Sequence, residues 1–214
     1  MAEPVDVFWS FRSPYSYLVT PDLLKLEEDY DVEVRLRVVF PIAIRTKATL
    51  FNKENRKPAM YIVMDSFRRA EFLGLPFAWP NPDPIVQNFE TLEVSEKQPY
   101  IYRLSSLGVE AERRGKGIEF AAAVSRMIFG GTEGWDQGDH LANAASSVGL
   151  DLAAMDAAIA DGDHLDAIEH NHEDLEAIGH WGVPTMALRG EPFFGQDRIE
   201  TLRWRLQKLG VPKK

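Results

Sequence analysis

The chain has no cysteine among its 214 residues. This absence excludes disulfide bonds, thiolate metal sites and thiol redox chemistry by the protein itself. Basic residues are also few, with 24 Lys and Arg against 33 Asp and Glu and a formal net charge of −9. Because binding to phosphate needs a basic surface, we expect no nucleic-acid partner.

Long hydrophobic runs are missing as well. No stretch approaches the roughly 20 apolar residues of a membrane-spanning helix. The first residues carry neither a basic start nor an apolar segment of the kind found in signal peptides. We therefore expect no membrane partner and a cytoplasmic location. The apolar content of 45% predicts a well-formed core.

Strand and helix patterns alternate at the N-terminal end. Residues 5–9 predict a short strand, and residues 14–30 predict a helix. Residues 32–39 alternate apolar and charged side chains, which indicates a second strand. A strand–helix–strand unit closes most readily as a right-handed parallel crossover.

The rest of the chain predicts a block of helices followed by a hairpin and a last helix. The predicted helices of the block cover residues 60–73, 95–107, 118–129, 140–148, 151–160 and 164–178. The later segments 184–188 and 192–194 predict the hairpin, and residues 197–209 the last helix. This order predicts an α/β fold in which residues 1–56 and 181–214 form one domain and residues 57–180 an inserted helical domain.

Ser13 stands at the junction between the first strand and the first helix. Pro14 suits the first helical position, where its missing N–H costs nothing. Backbone amides at a helix start are unpaired and carry partial positive charge. Two interpretations follow: Ser13 caps the helix, or its hydroxyl joins those amides in holding an anion such as a thiolate. Because the chain has no cysteine, such a thiolate must come from a ligand.

Three segments resemble one family in their order and spacing. They are Phe11-Arg12-Ser13-Pro14-Tyr15-Ser16-Tyr17, Gly182-Val183-Pro184-Thr185 and Phe193-Phe194-Gly195-Gln196-Asp197-Arg198. The chain thereby resembles the 2-hydroxychromene-2-carboxylate isomerases and kappa-class glutathione transferases, a DsbA-like branch of the thioredoxin fold. The resemblance implies a thioredoxin-like α/β fold with a helical insertion, and glutathione as the bound cofactor.

The resemblance also implies roles for particular residues. Ser13 would stabilise the glutathione thiolate, and Phe11 would help to bind glutathione. Val183 would offer its backbone to the peptide of glutathione from beside a cis Pro184. The sequence alone predicts a trans bond there, since only about one X–Pro bond in twenty is cis in folded proteins.

Further glutathione contacts are implied near the C-terminus and in the segment 47–56. Asp197 and Arg198 would hold the γ-glutamyl end, although the residues alone equally fit a helix cap and a solvated charge. Asn52 is our choice in the segment 47–56, where Lys53 and Asn55 are the alternatives.

Aromatic side chains are candidates for the wall of a substrate pocket. Tyr15, Trp79 and Trp135 are our choices, because flat aromatic substrates suit such walls. The alternative for each is an ordinary place in the core. The histidine-containing acidic tract 161–174 suggests a metal site. No His pair in it stands four residues apart, however, so we favour a solvated helical face.

The sequence thus predicts a glutathione-dependent isomerase of aromatic degradation intermediates, with a small aromatic substrate. The first alternative is a kappa-type glutathione transferase, which would use the same thiolate. The second alternative is a thioredoxin-fold binding module without turnover. The oligomeric state is left open, with a homodimer as one possibility.

Overall fold

The structure of the protein is a computed structural model, and it describes residues 2–45, 56–88, 90–91 and 93–214. A mixed sheet lies at its centre, with strands in the order β2-β1-β3-β4. The strands are β1 (Glu3–Trp9), β2 (Val32–Val38), β3 (Thr185–Leu188) and β4 (Glu191–Phe194). β1 and β2 are parallel, whereas β3 is antiparallel to both β1 and β4. The expected parallel crossover and C-terminal hairpin are therefore confirmed.

Helices flank the sheet and fill the long connection between β2 and β3. They are α1 (Pro14–Asp29), α2 (Ile42–Arg45), α3 (Lys57–Leu73), α4 (Ile101–Arg113), α5 (Gly117–Phe129), α6 (His140–Ser147), α7 (Leu152–Ala160), α8 (His164–Ala177) and α9 (Ile199–Lys208). One apolar cluster includes buried residues of the sheet and of the helical block. The division into two domains stays a prediction.

Helix bounds differ from expectation where local chemistry overrides the apolar pattern. α4 begins at Ile101 rather than at residue 95, because Pro99 disfavours helical backbone in the residue before it. α9 begins at Ile199, with Arg198 rather than Asp197 in the capping position. Asp151 caps α7 through its side chain, as the sequence predicts. The short helix α2 was not predicted.

Helix α4 closely approaches the turn that joins β1 to α1. Gly108 has no side chain, and a Cβ there would lie 2.7 Å from the Phe11 ring and 2.8 Å from a methyl of Val38. Phe11 is fully buried and packs edge-on against Phe120 of α5. Among the described residues, no helix is long and apolar enough to cross a membrane.

Candidate functional site

Ser13 occupies the N-cap of α1, directly after the turn that ends β1. Its backbone is extended, with φ −88° and ψ 114°, and its Oγ accepts a hydrogen bond of 3.2 Å from the Ser16 amide. The Ser13 amide in turn donates to the Ser10 carbonyl at 3.0 Å. The capping interpretation is thus confirmed, and it uses only an acceptor lone pair of the hydroxyl.

The Val183–Pro184 peptide bond is cis, as the resemblance implied. The Val183 carbonyl oxygen lies 3.5 Å from Ser13 Oγ, so this loop faces the start of α1. Neighbouring bonds hold the loop: Thr185 Oγ1 donates to the Gly182 carbonyl at 2.7 Å, and the Gly195 amide donates to the Pro184 carbonyl at 2.9 Å. The structure therefore brings Ser13, Val183 and Pro184 together.

Within the described residues, the Ser13 hydroxyl proton has only a weak partner. A donor–acceptor distance of 3.5 Å is long for an O–H donor, whose usual range ends near 3.0 Å. A hydroxyl rotates freely about its C–O bond, so the proton can turn toward another acceptor without breaking the cap. Ser13 can therefore cap α1 and donate to an anion at the same time.

A cavity of about 270 Å³ opens at this point of the fold. Its lining includes Ser13, Tyr15 and Val183, all of which the sequence singles out. The remaining lining residues are Ser10, Arg12, Pro14, Pro41, Ile42, Arg45, Tyr61, Ile62, Trp79, Trp181, Gly182 and Phe194. None of these described lining residues is acidic, although the whole chain has a net charge of −9. The cavity is apolar, with cationic groups at its wall.

The two arginines of the wall differ in their partners. Arg12 is bound by Asp83, with Nε to Oδ1 at 3.1 Å and a second bond of 3.2 Å. Arg45 donates instead to two backbone carbonyls, those of Phe40 and Trp181, each at 2.7 Å. Burial lowers the pKa of Arg45 below its ordinary value. Sequence reasoning missed Arg45, because it lies outside the motifs that carry the resemblance.

Tyr15 is tied to a carboxylate at the edge of the cavity. Its hydroxyl donates to Asp65 at 2.7 Å, and Asp65 also accepts from Arg68. Burial, together with the hydrogen bond to Asp65, raises the pKa of Tyr15. Burial pushes the pKa of Asp65 upward, but the bonds from Arg68 and Tyr15 outweigh it and lower that pKa. Tyr15 is therefore a neutral donor held by an ionised acid.

Trp79 lines the cavity, but Trp135 does not. Trp135 is buried in the helical block, where its Nε1 donates to the Pro82 carbonyl at 2.8 Å. It lines a separate cavity of about 100 Å³ and packs edge-on against Tyr100. The structure therefore does not bring Trp135 together with Ser13 and Trp79, and its buried position agrees with the core alternative.

The other predicted glutathione contacts lie apart from the cavity lining. The Phe11 side chain belongs to the core, since Gly108 admits it there. Asp197 and Arg198 are exposed, with 3.6 Å between their charged groups, and neither caps α9 through its side chain. The Arg198 amide donates to the carbonyl of Gly195, whose own amide donates to the Pro184 carbonyl. Asn52 lies outside the described residues.

The histidine tract supports the cavity wall from behind. Asn171 Nδ2 donates to the Val38 carbonyl at 2.9 Å, and His172 Nε2 accepts from the Phe40 amide at 2.8 Å. His180 Nδ1 accepts from the Gly182 amide at 2.9 Å in the same way. Within the described parts of the chain, no three metal-binding side chains cluster. These side chains hold the two loops that form the wall.

Comparisons with known proteins agree with this architecture. The sequence model of a family described as DSBA-like thioredoxin domain matches residues 4–207. A 2-hydroxychromene-2-carboxylate isomerase of Pseudomonas putida is 25% identical over 96% of this chain and 95% of its own length. A protein of the same name from Pseudomonas sp. strain C18 is 24% identical over 91% of this chain and 86% of its own length.

Solved structures show the same fold. A selenomethionine 2-hydroxychromene-2-carboxylate isomerase superposes with a TM-score of 0.67 at 21% identity, over 96% of this chain and 95% of the other. The cytosolic disulfide reductase DsbM from Pseudomonas aeruginosa, solved with GSH, superposes with a TM-score of 0.63 at 18% identity, over 95% and 99%. The resemblance inferred from the motifs and the DsbA-like α/β fold are both confirmed.

Proposed function

This chain belongs to the family of DSBA-like thioredoxin domains, and from that premise we propose that it is a glutathione-dependent isomerase of aromatic degradation intermediates. Two relatives along nearly the whole chain are named 2-hydroxychromene-2-carboxylate isomerase, which supports isomerisation of an aromatic acid of that class. The observation that carries the proposal is the Ser13 hydroxyl, which lies 3.5 Å from the Val183 carbonyl oxygen at a cavity whose described lining includes no acid, in a protein without cysteine.

The residues present fit glutathione as an external thiol. Among the described residues, the Ser13 hydroxyl proton has one long contact, and Ser13 stands at the positive end of α1. A hydrogen bond to the sulfur and the positive end of the helix both favour the charged form of a thiol. The Arg45 guanidinium group at the wall adds positive potential, whereas Asp83 compensates the charge of Arg12. This site would lower the pKa of a bound thiol.

The Val183 backbone would position the thiol. In the proposed complex, the N–H and C=O groups of Val183 pair with the peptide of glutathione as an added strand does. Glutathione, when bound, supplies a nucleophilic thiol whose reversible addition to an unsaturated acid permits rotation about the former double bond. Ser13 holds the negative charge on sulfur before addition and after elimination. Tyr15, whose hydroxyl donates to Asp65, closes the polar edge of the cavity.

The same residues would serve a kappa-type transferase, which is the second candidate. Ser13 and Val183 would act alike there, because both reactions begin with a bound thiolate. The difference lies in whether the thiol leaves again. The names of the two curated relatives favour the isomerase.

Thiol binding is the first test of the proposal. Calorimetry with glutathione and with S-methylglutathione, each across a range of pH, reports whether the free thiol matters. We expect glutathione to bind with release of a proton near neutral pH, and S-methylglutathione to bind without it. The ultraviolet absorption of thiolate should rise on binding. If neither ligand binds, the non-catalytic module is the better account.

A further inference from the structure

The smaller cavity, of about 100 Å³, lies in the helical block and is separate from the cavity at Ser13. The two cavities share no described lining residue. Three leucine side chains, one each from α4, α6 and α7, form the aliphatic part of its wall. An apolar cavity of about 150 Å³ can hold benzene, so this one has room for roughly four non-hydrogen atoms.

Asp136 gives the wall of this cavity a carboxylate with an unfilled acceptor. Its Oδ2 accepts a hydrogen bond of 3.0 Å from the Tyr100 hydroxyl. Its Oδ1 is buried and has no hydrogen-bond partner among the described residues. A buried carboxylate oxygen is unfavourable unless a donor or a cation completes it. The wall therefore suits a ligand that donates a hydrogen bond.

The arginine in the wall does not supply this missing donor. Arg103 binds Asp156 with both arms of its guanidinium fork, Nε at 2.8 Å and a terminal nitrogen at 2.7 Å. Paired bonds of this kind are among the stronger charge-assisted interactions. Since Asp156 compensates Arg103, the charge that remains at the described lining is the negative charge of Asp136. The cavity therefore favours a cation over an anion.

Two aromatic rings stand beside the carboxylate. Tyr100 and Trp135 both line the cavity, with ring centroids 5.3 Å apart and planes inclined by 61°. Each ring is anchored, Tyr100 by its bond to Asp136 and Trp135 by an Nε1 bond of 2.8 Å to the Pro82 carbonyl. Aromatic faces attract cations within about 6 Å, and Trp does so best. Anchored rings also lose little freedom when a ligand binds.

We propose that this cavity is a second binding site, and that its ligand is a small alkylammonium cation. The ammonium group donates to the Asp136 carboxylate beside the Tyr100 and Trp135 rings. The alkyl part packs against the three leucines of the wall. Propylammonium has the charge, the donors and the four non-hydrogen atoms that the cavity can hold. The site does not depend on glutathione or on the reaction proposed above.

The indole N–H of Trp135 reports directly on the cavity. Its nuclear magnetic resonance signal is the one that Trp135→Phe removes from those of the five tryptophans. Isotope-labelled protein is titrated at constant ionic strength with propylammonium chloride and with n-propanol, which has the same size and a donor but no charge. Asp136→Asn removes the charge and keeps the shape. Asp139→Asn is the matched control, because Asp139 is exposed in the same loop and does not line the cavity.

We expect propylammonium to shift the Trp135 signal of wild type with a Kd on the order of 1–10 mM, and n-propanol to bind at least about 10-fold more weakly. Asp136→Asn should weaken propylammonium about 10-fold and leave n-propanol within about twofold. Asp139→Asn should behave as wild type. Leu141→Phe narrows the cavity without a change of charge and should weaken both probes, which tests the location if Asp136→Asn does not fold.

Four results would overturn the inference. Equal binding of the two probes to wild type would mean that the cavity does not recognise charge. A preference for propylammonium that survives in Asp136→Asn would place the cation elsewhere. Equal weakening in Asp136→Asn and Asp139→Asn would assign the effect to the general charge of the loop. A Trp135 signal that stays fixed up to about 100 mM of propylammonium would show that the cavity does not admit this class of ligand.

Discussion

Ser13 Oγ lies 3.5 Å from the carbonyl oxygen of Val183, across 170 residues of sequence. The start of α1 and the cis-proline loop therefore face each other, and among the residues that the structure describes the hydroxyl proton between them has no short acceptor. In a chain without cysteine, this geometry suits a thiol that arrives with a ligand.

Replacement of Ser13 tests its role at the sulfur. Ser13→Ala should raise the pKa of the bound glutathione thiol and lower kcat by about 10²–10³, because one donor to developing charge is lost. It also removes the cap of α1, which costs about 1 kcal/mol of unfolding free energy. Thiolate absorption during a pH titration and steady-state kinetics give the two readouts.

Asp151→Ala is the control for the loss of a cap. Asp151 caps α7 by accepting from the Ala153 and Ala154 amides, and it does not line the cavity. This variant should lose about as much stability as Ser13→Ala, with kcat unchanged. Equal activity of Ser13→Ala and wild type on a verified substrate would limit Ser13 to its capping role.

Substitutions of Trp79 and Trp135 should distinguish a side chain of the substrate pocket from a side chain of the core. Trp79→Ala removes apolar contact in the cavity, so KM for an aromatic acid should rise about 10-fold or more while glutathione affinity stays unchanged. Trp135→Phe should leave KM unchanged. It should lower the unfolding free energy by about 1 kcal/mol, because the Pro82 carbonyl loses its donor. Reversal of these two effects would place the substrate in the smaller cavity.

The absence of cysteine predicts no oxidoreductase activity, despite membership in the DSBA-like family. Wild type should not accelerate insulin reduction above the background of glutathione alone. Ser13→Cys is the positive control, since a thiol at this helix start should form a mixed disulfide with oxidised glutathione, visible by mass spectrometry. Catalysis by wild type would mean that the proposed chemistry is wrong.

His172 should make stability depend on pH. Burial lowers its pKa below the ordinary 6.5, although Glu169 opposes the shift. As the pH falls below 6.5, the unfolded chain takes up the proton first, so the unfolding free energy decreases until the folded pKa is passed. Protonation also removes the acceptor for the Phe40 amide.

Denaturant unfolding at a series of pH values checks this dependence. His172→Gln offers an acceptor that does not titrate, so its stability should fall less between pH 7 and pH 5 than that of wild type. His170→Gln, at an exposed position on the same helix, should behave as wild type. The same slope in wild type and His172→Gln would assign the effect to other groups.

The sequence predicts best what local chemistry controls. The cap at Ser13, the strands and the hairpin follow from residue types and spacing, and the cis Pro184 followed from the resemblance. The positions of Phe11 and Arg45 depend instead on packing between distant parts of the chain. Phe11 is in the core because Gly108, far along the chain, leaves room for its ring. Arg45 reaches the cavity through the Trp181 carbonyl, a contact that no local pattern encodes.

Thiol consumption tests the central claim most directly. A hydroxychromene carboxylate is supplied with one-tenth molar equivalent of glutathione, and the ultraviolet spectrum is followed to its end point. Because an isomerase regenerates its thiol in each cycle, we predict conversion to equilibrium with glutathione recovered unchanged. Conversion that stops when the thiol is used up, with a glutathione adduct found by mass spectrometry, would contradict the account and identify a transferase.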